Sequence, residues 1–190
     1  IAEREHLVNA RRKDSQGICF LGKINYNDYI RRYLGENPGD VVELETGKKI
    51  GLHKGLWFHT IGQRKGFGVG GNRGPYYCVG KNVEHNYLYL TSIKNEHYLY
   101  SDSALIKGIN WISDRDVDDM DIKCKFRYRQ SDQDVHIKLL NRNEALLTYP
   151  QGIKAVTPGQ QAVFYLDDEM LGGGIIENTY YKTRELSQYL

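Results

Sequence analysis

A chain of 190 residues holds one ordinary domain or two small ones, and its 40% hydrophobic content is enough for a sizeable buried core. With 26 basic against 24 acidic residues the formal net charge is only +2, which excludes binding of a polyanion through bulk charge and leaves a local basic patch as the way to do it. No stretch approaches the ~20 consecutive apolar residues of a spanning helix, and the start lacks the basic-then-apolar pattern of a secretory signal, so a soluble protein with no membrane partner is expected.

The chain opens on Ile1 and runs at once into the charged stretch AEREHLVNARRKD, which suggests a fragment of a longer protein. Residues 1–99 hold 15 basic and 10 acidic groups, residues 100–190 hold 11 and 14, so any polyanion site is confined to part of the surface. Cys19, Cys78 and Cys124 lie far apart with no C-x-x-C pair, which suits neither a disulfide framework nor a zinc knuckle and fits a reducing compartment. Cys19 sits in KDSQGICFLG, after the cationic run Arg11-Arg12-Lys13. Nearby positive charge favours the thiolate that attacks electrophiles and accepts sulfur. Its neighbours Ile18 and Phe20 favour a buried, inert thiol, and local composition alone leans that way.

Asn25 can cap a helix whose Tyr26, Tyr29, Ile30, Tyr33 and Leu34 share one face, and Gly35 can end it. Strands follow: VVELE before the turn at Thr46-Gly47, GLWFHTI at 55–61, YYCVGKNV at 76–83 and YLYLTSI at 87–93, with His85-Asn86 as a hairpin turn. Between them GQRKGFGVGGNRG, residues 62–74, has three cations and no acid. Its Gly66-x-Gly68-x-x-Gly71 spacing is not a dinucleotide fingerprint, because a strand and not a helix follows, and there is no Walker-type phosphate loop. A mobile loop that tracks a phosphate backbone through Arg64 and Lys65, and a solvated hairpin rich in turn residues, are about equally good accounts.

A boundary falls near residues 94–102. Beyond it ALIKGINWI, IKCKFRYR, VHIKLL, EALLTY, QAVFYL and EMLGGGIIE read as six short strands, and six in so short a span suggest an antiparallel barrel whose closure removes exposed edges. The expected fold is mainly β with one or two helices, α+β: a small helix-plus-strand domain over 25–98 and a barrel over 99–190. IKCKFRYR, residues 122–129, alternates, with Ile122, Cys124, Phe126 and Tyr128 on one face and Lys123, Lys125, Arg127 and Arg129 on the other. An outward face made only of cations favours a polyanion, and Cys124 and Cys78 are expected in the core.

The acidic run Asp114 to Asp121 fails the EF-hand pattern, with Asp119 where glycine and Lys125 where glutamate would stand. The six histidines show no H-x-x-x-H pair. No metal site is expected, and no G-x-S-x-G elbow is present.

These segments resemble the tRNA-specific 2-thiouridylase family. KDSQGICFLG, GLHKGLWFHTIGQRKGFGVGG, KFRYRQSD, AVTPGQQAVFY and LGGGIIE occur in the family's order across roughly residues 11 to 177. The resemblance implies that Cys19 carries sulfur as a persulfide, that Arg127, Tyr128 and Gln160 contact tRNA, and that a small central domain precedes an elongation-factor-like β-barrel. Lys125, Arg129, Arg64 and Lys65 join the tRNA-contact set as neighbouring cations. Residues 1–24 then form the tail of an ATP-binding catalytic domain, whose Ser-Gly-Gly-x-Asp-Ser type loop and second cysteine do not occur here. No cofactor is expected in this chain; ATP with Mg belongs to that other domain. The implied partners are tRNA and a sulfur-relay protein or cysteine desulfurase, in the bacterial cytoplasm or, alternatively, the mitochondrial matrix. The competing reading is an RNA-binding barrel without chemistry of its own; a redox-sensing thiol is weaker, lacking a nearby resolving cysteine.

Overall fold

The computed structural model describes residues 3–8, 10–11, 25–69, 75–182 and 184–185. Cys19 and its loop, and Arg73 with the glycines around it, lie outside the described residues. Two compact units are present, residues 1–37 and 38–190.

In the first unit the expected helix forms as α1 (Tyr26–Leu34). Asn25 Oδ1 accepts the backbone N–H groups of Asn27 at 3.0 Å and Asp28 at 3.4 Å, which satisfies donors that a helix start leaves open. Asp28 in the first turn and Arg31 and Arg32 in the last complement the helix dipole. Tyr29 and Tyr33, one turn apart, bring their ring centroids to 4.8 Å.

The second unit begins with a mixed sheet of four strands: β1 (Gly39–Glu43), β2 (Lys49–His53), β3 (Tyr76–Asn82) and β4 (Tyr87–Ser92), in the order β2-β1-β4-β3. Positive φ at Gly47 and Asn86 turns the β1–β2 and β3–β4 hairpins. The two hairpins then join through a parallel β1–β4 pairing. The segment GLWFHTI is not a strand. Leu56–Phe58 forms a single 3-10 turn, with the Trp57 ring only 2.8 Å from where a Cβ on Gly55 would lie. Leu56, and Phe67 further along the same connection, drop into a core with Val41, Tyr76, Cys78, Leu88 and Leu90. Phe67 is buried and Val69 packs beside it, so this end of the glycine-rich connection is seated on the sheet core, while residues 70–74 lie outside the described residues.

After two merged 3-10 turns at Ile93–Leu99 come β5 (Tyr100–Trp111), β6 (Met120–Lys125), β7 (Gln133–Asn141), β8 (Glu144–Lys154), β9 (Gln161–Leu166), β10 (Glu169–Tyr181) and a two-residue β11 (Arg184–Glu185) on the outer end of β10. The order β10-β5-β8-β7-β6-β9 closes on itself because β9 pairs back with β10. This is the expected closed antiparallel barrel of six strands, and its interior holds Ile106, Cys124, Ile137, Leu147, Tyr149 and Phe164, all fully buried. Burial pushes the Cys78 thiol up to about 11 and raises that of Cys124 further, so both are inert at neutral pH.

Closure depends on Gly172, Gly173 and Gly174, where β10 is squeezed between β5 and β9. A Cβ on Gly173 would stand 2.6 Å from the Ala162 carbonyl oxygen and one on Gly174 2.8 Å from that of Lys107, while one on Gly172 would collide with the Asn110 carbonyl. At Gly172 and Gly173 the obstacles are backbone atoms with no rotamer to yield, while at Gly174 the Ile106 side chain stands closer than the carbonyl. Gly173→Ala is therefore expected to cost about 1–3 kcal/mol in urea unfolding. An unchanged midpoint would contradict the close approach.

Candidate nucleic-acid interface

Strict alternation along IKCKFRYR would turn Tyr128 into the barrel. The strand stops at Lys125 instead, and Phe126 ends it as a plug, 1% exposed, with its ring 5.4 Å from that of Tyr149. Tyr149 is itself fixed by a 2.9 Å hydrogen bond between its hydroxyl and that of Ser101. Gln130 folds the chain back: its Oε1 accepts the Phe126 backbone N–H at 2.8 Å and its own N–H donates to Arg127 O at 3.2 Å. Arg129 takes the left-handed conformation, φ 62°. The turn throws Arg127, Tyr128 and Arg129 outward, and Tyr128 is 77% exposed.

That turn and Lys125 form one wall of a surface groove whose other wall is Gly159, Gln160, Gln161, Val163 and Tyr165. The Lys125 ammonium lies 5.3 Å over the Tyr165 ring, and the Arg129 guanidinium 5.1 Å over that of Tyr128. Gly159 and Gln160 are held by β10, Gly159 N–H donating to Ile176 O and Ile176 N–H to Gln160 O, each at 2.8 Å. Lys125, Arg127, Tyr128, Arg129 and Gln160, picked from the sequence as contacts, thus line one groove.

The cationic stripe is less uniform than the strand alone suggests. The β6–β7 register sets Lys123 opposite Asp134, and the two pair at 2.8 Å; Lys125 pairs with Asp132 at 3.2 Å. Arg127 reaches a carbonyl, Lys154 O at 3.5 Å, instead of a carboxylate. The two lysines within the ladder are thus paired with acids, and Arg127 and Arg129 stand beyond it at the end of the strand.

A second, smaller groove lies where the sheet meets the barrel. His59, Thr60, Ile61 and Lys81 line it from the sheet side and Thr157 to Gln160 from the barrel, so the two grooves share Gly159 and Gln160. The junction is tight: Ala155 N–H donates to Leu99 O at 2.7 Å, a Cβ on Gly62 would stand 2.8 Å from that of Ala155, and the Lys154 ammonium lies 4.8 Å over the Tyr77 ring. Gln160 Oε1 is buried with no hydrogen-bond partner among the described residues. His59 is buried, and desolvation first, then the neighbouring His53 and Lys81, lower its pKa to about 4. His53 donates from Nε2 to Asn86 O at 3.0 Å. Burial also lowers the pKa of Lys81, which forms no ion pair among the described residues.

Arg64 and Lys65 follow the turn in which Gln63 N–H donates to Thr60 O at 3.0 Å; both are exposed and line neither groove. Among the described residues no three His, Cys, Asp or Glu side chains cluster as metal ligands. Two of the acidic-run residues, Asp119 and Asp121, hold His136 at 2.8 and 2.9 Å and raise its pKa. Sequence reasoning did not single out His59 and Lys81, which line the smaller groove opposite a segment distant in sequence and so carry no local signal.

A small mixed sheet leading into a closed barrel, with a cationic groove at the barrel's end, defines a class, and two family models describe it. One, the tRNA methyl transferase PRC-barrel domain, matches residues 27–92, and the other, the aminomethyltransferase beta-barrel domain, matches residues 101–176. Among curated proteins, the tRNA-specific 2-thiouridylase MnmA of Mycoplasma capricolum is 43% identical over 182 residues, 93% of this chain and 48% of the relative. That of a Staphylococcus aureus strain is 42% identical over 190 residues, 98% of this chain and 51% of its own, and that of Bacillus cytotoxicus 41% over 188 residues, 98% and 50%. The chain belongs to the tRNA-specific 2-thiouridylase family, and it spans about half the length of the curated relatives it matches.

A histidine kept neutral by burial costs stability in acid, because the unfolded chain takes up the proton first. The contribution of His59 is intact above the ordinary value of 6.5 and is lost as pH falls towards about 4. The urea midpoint should drop through that window, and His59→Gln should flatten the drop. A variant profile that parallels the parent's would contradict the buried neutral imidazole.

Proposed function

We propose that this chain is the tRNA-holding and sulfur-carrying portion of a tRNA 2-thiouridylase, in which sulfur is delivered to C2 of the wobble uridine. The observation that carries the tRNA half is the convergence of Lys125, Arg127, Tyr128, Arg129 and Gln160 on one groove. Each supplies what a nucleic acid needs. The guanidinium groups of Arg127 and Arg129 take phosphate oxygens, the exposed Tyr128 ring is a stacking platform for an unpaired base, and the Gln160 amide reads a base edge or a ribose hydroxyl. Arg64 and Lys65 add charge further along the bound RNA.

The sulfur half is carried by KDSQGICFLG, the segment that resembles the family's persulfide-bearing motif. Cys78 and Cys124 are buried with raised pKa values, which supports Cys19, named by the motif, as the thiol for the chemistry. A sulfur-relay protein or cysteine desulfurase loads Cys19 as Cys–S–SH. ATP with Mg, held by a domain outside this chain, supplies the activation of the C2 oxygen as an adenylate. The terminal sulfur of Cys19 forms the new bond to C2 as AMP departs, and a second cysteine thiolate then takes the Cys19 sulfur into a disulfide, which frees the thiolated base. A bacterial cytoplasm suits this reading, with the mitochondrial matrix as the alternative.

Two measurements on the purified chain test the two halves. Replacing Arg127 and Arg129 together by alanine should weaken tRNA binding about tenfold or more and reduce the slope of log K against log salt by about 2. Unchanged affinity and slope would contradict the groove as the contact surface. Cys19→Ser should bind tRNA normally but fail to take up labelled sulfane sulfur from a desulfurase. Label on Cys78 or Cys124 would overturn the assignment, and no label on any cysteine of the parent chain would leave an RNA-binding barrel without chemistry.

A further inference from the structure

The groove at the strand end shares Gly159 and Gln160 with the cleft between sheet and barrel, and the lining of that cleft suits an anion. Lys81 lines it half-buried, yet forms no ion pair among the described residues. Its pKa is lowered chiefly by burial, and Cys78, which acts on it in the opposite sense, is a protonated thiol at neutral pH and no counter-charge. A desolvated ammonium without a carboxylate is a cost in the free protein that an arriving anion offsets. His59 beside it is neutral, so the lining offers one positive charge and not two.

Opposite Lys81 lies a second unmet demand. Gln160 Oε1 is buried without a donor among the described residues, although the large majority of buried side-chain polar atoms in folded proteins have a partner. The terminal amide torsion is soft, so a small rotation presents this oxygen to the cleft. The exposed Thr60 stands on the rim, and sheet and barrel approach closely at Gly62 and Ala155.

We propose that the cleft between the sheet and the barrel binds one phosphate–ribose unit of the tRNA, Lys81 contacting the phosphate and Gln160 Oε1 accepting the ribose 2′-hydroxyl. The RNA strand then runs from Tyr128 across Gly159-Gln160 to Lys81, and the 2′-hydroxyl contact makes the cleft prefer RNA to DNA. The inference rests on the barrel groove being the tRNA surface and adds to it a residue from the other sheet.

The test is tRNA binding across a salt series with Lys81→Gln, which keeps length and removes charge, and Lys81→Arg, which keeps charge. Lys81→Gln should bind roughly fivefold more weakly near 0.15 M salt with a slope smaller by about 1, and Lys81→Arg should keep the parent slope. A 2′-deoxy substitution at the nucleotide in the cleft should weaken the parent and leave Gln160→Ala unaffected. In the parent chain, bound tRNA should also shield Lys81 from acylation, a readout that needs no variant to fold. If Lys81→Gln keeps affinity and slope and Lys81 stays open to acylation, while the Arg127/Arg129 alanine variant loses binding, the cleft site is wrong and the barrel groove stands. If neither set of changes affects binding, the reading beneath it falls as well.

Discussion

The seat of Phe126 against Tyr149 fixes where the barrel ends and where its nucleic-acid groove begins. A buried aromatic pair is among the more expensive contacts to break, and this one is locked from behind by the hydroxyl bond of Tyr149 to Ser101. Phe126 cannot continue the strand and stay in the core, so the backbone must turn at once. Gln130 makes that turn affordable by taking the Phe126 N–H that the sheet no longer uses. The outward set of Arg127, Tyr128 and Arg129 is thus a consequence of an inward ring.

Electrostatics then sorts the cations. Lys123 and Lys125, within the ladder, meet Asp134 and Asp132 across or beside β7, and such exposed pairs add little to stability but cancel charge locally. Arg127, past the ladder, reaches a carbonyl. A protein of net charge +2 in this way brings Lys125, Arg127 and Arg129 together at the end of one strand, beside the Gly159-Gln160 loop. That loop serves both grooves, which makes Gln160 the point where the contributions of barrel and sheet converge.

Much of the frame was legible from residue patterns. The Asn25 cap, the hairpin turn at Asn86, the strand Gln161–Leu166 and the inward faces of Cys78 and Cys124 are local or period-two features, and they form as read. GLWFHTI misleads because a short apolar run has no period of its own, and a turn at Gly55 buries Leu56 as well as a strand would. The parallel β1–β4 pairing, the acids facing the lysines, and the burial of His59 and Lys81 all depend on which distant segments become neighbours. The groove residues were found through motif resemblance and the cation pattern; their geometry, with Tyr128 outside, depends on the strand stopping at Lys125. Cys19 lies outside the described residues, and its role rests on the motif around it.

Amide hydrogen exchange on the chain with and without tRNA tests the central claim most directly. Binding in the proposed groove predicts slowed exchange concentrated in residues 125–130 and 159–163, the two walls, with the opposite side of the barrel around β5 and β8 unchanged. Slowed exchange confined to other segments, with 125–130 exchanging as in the free chain, would contradict it.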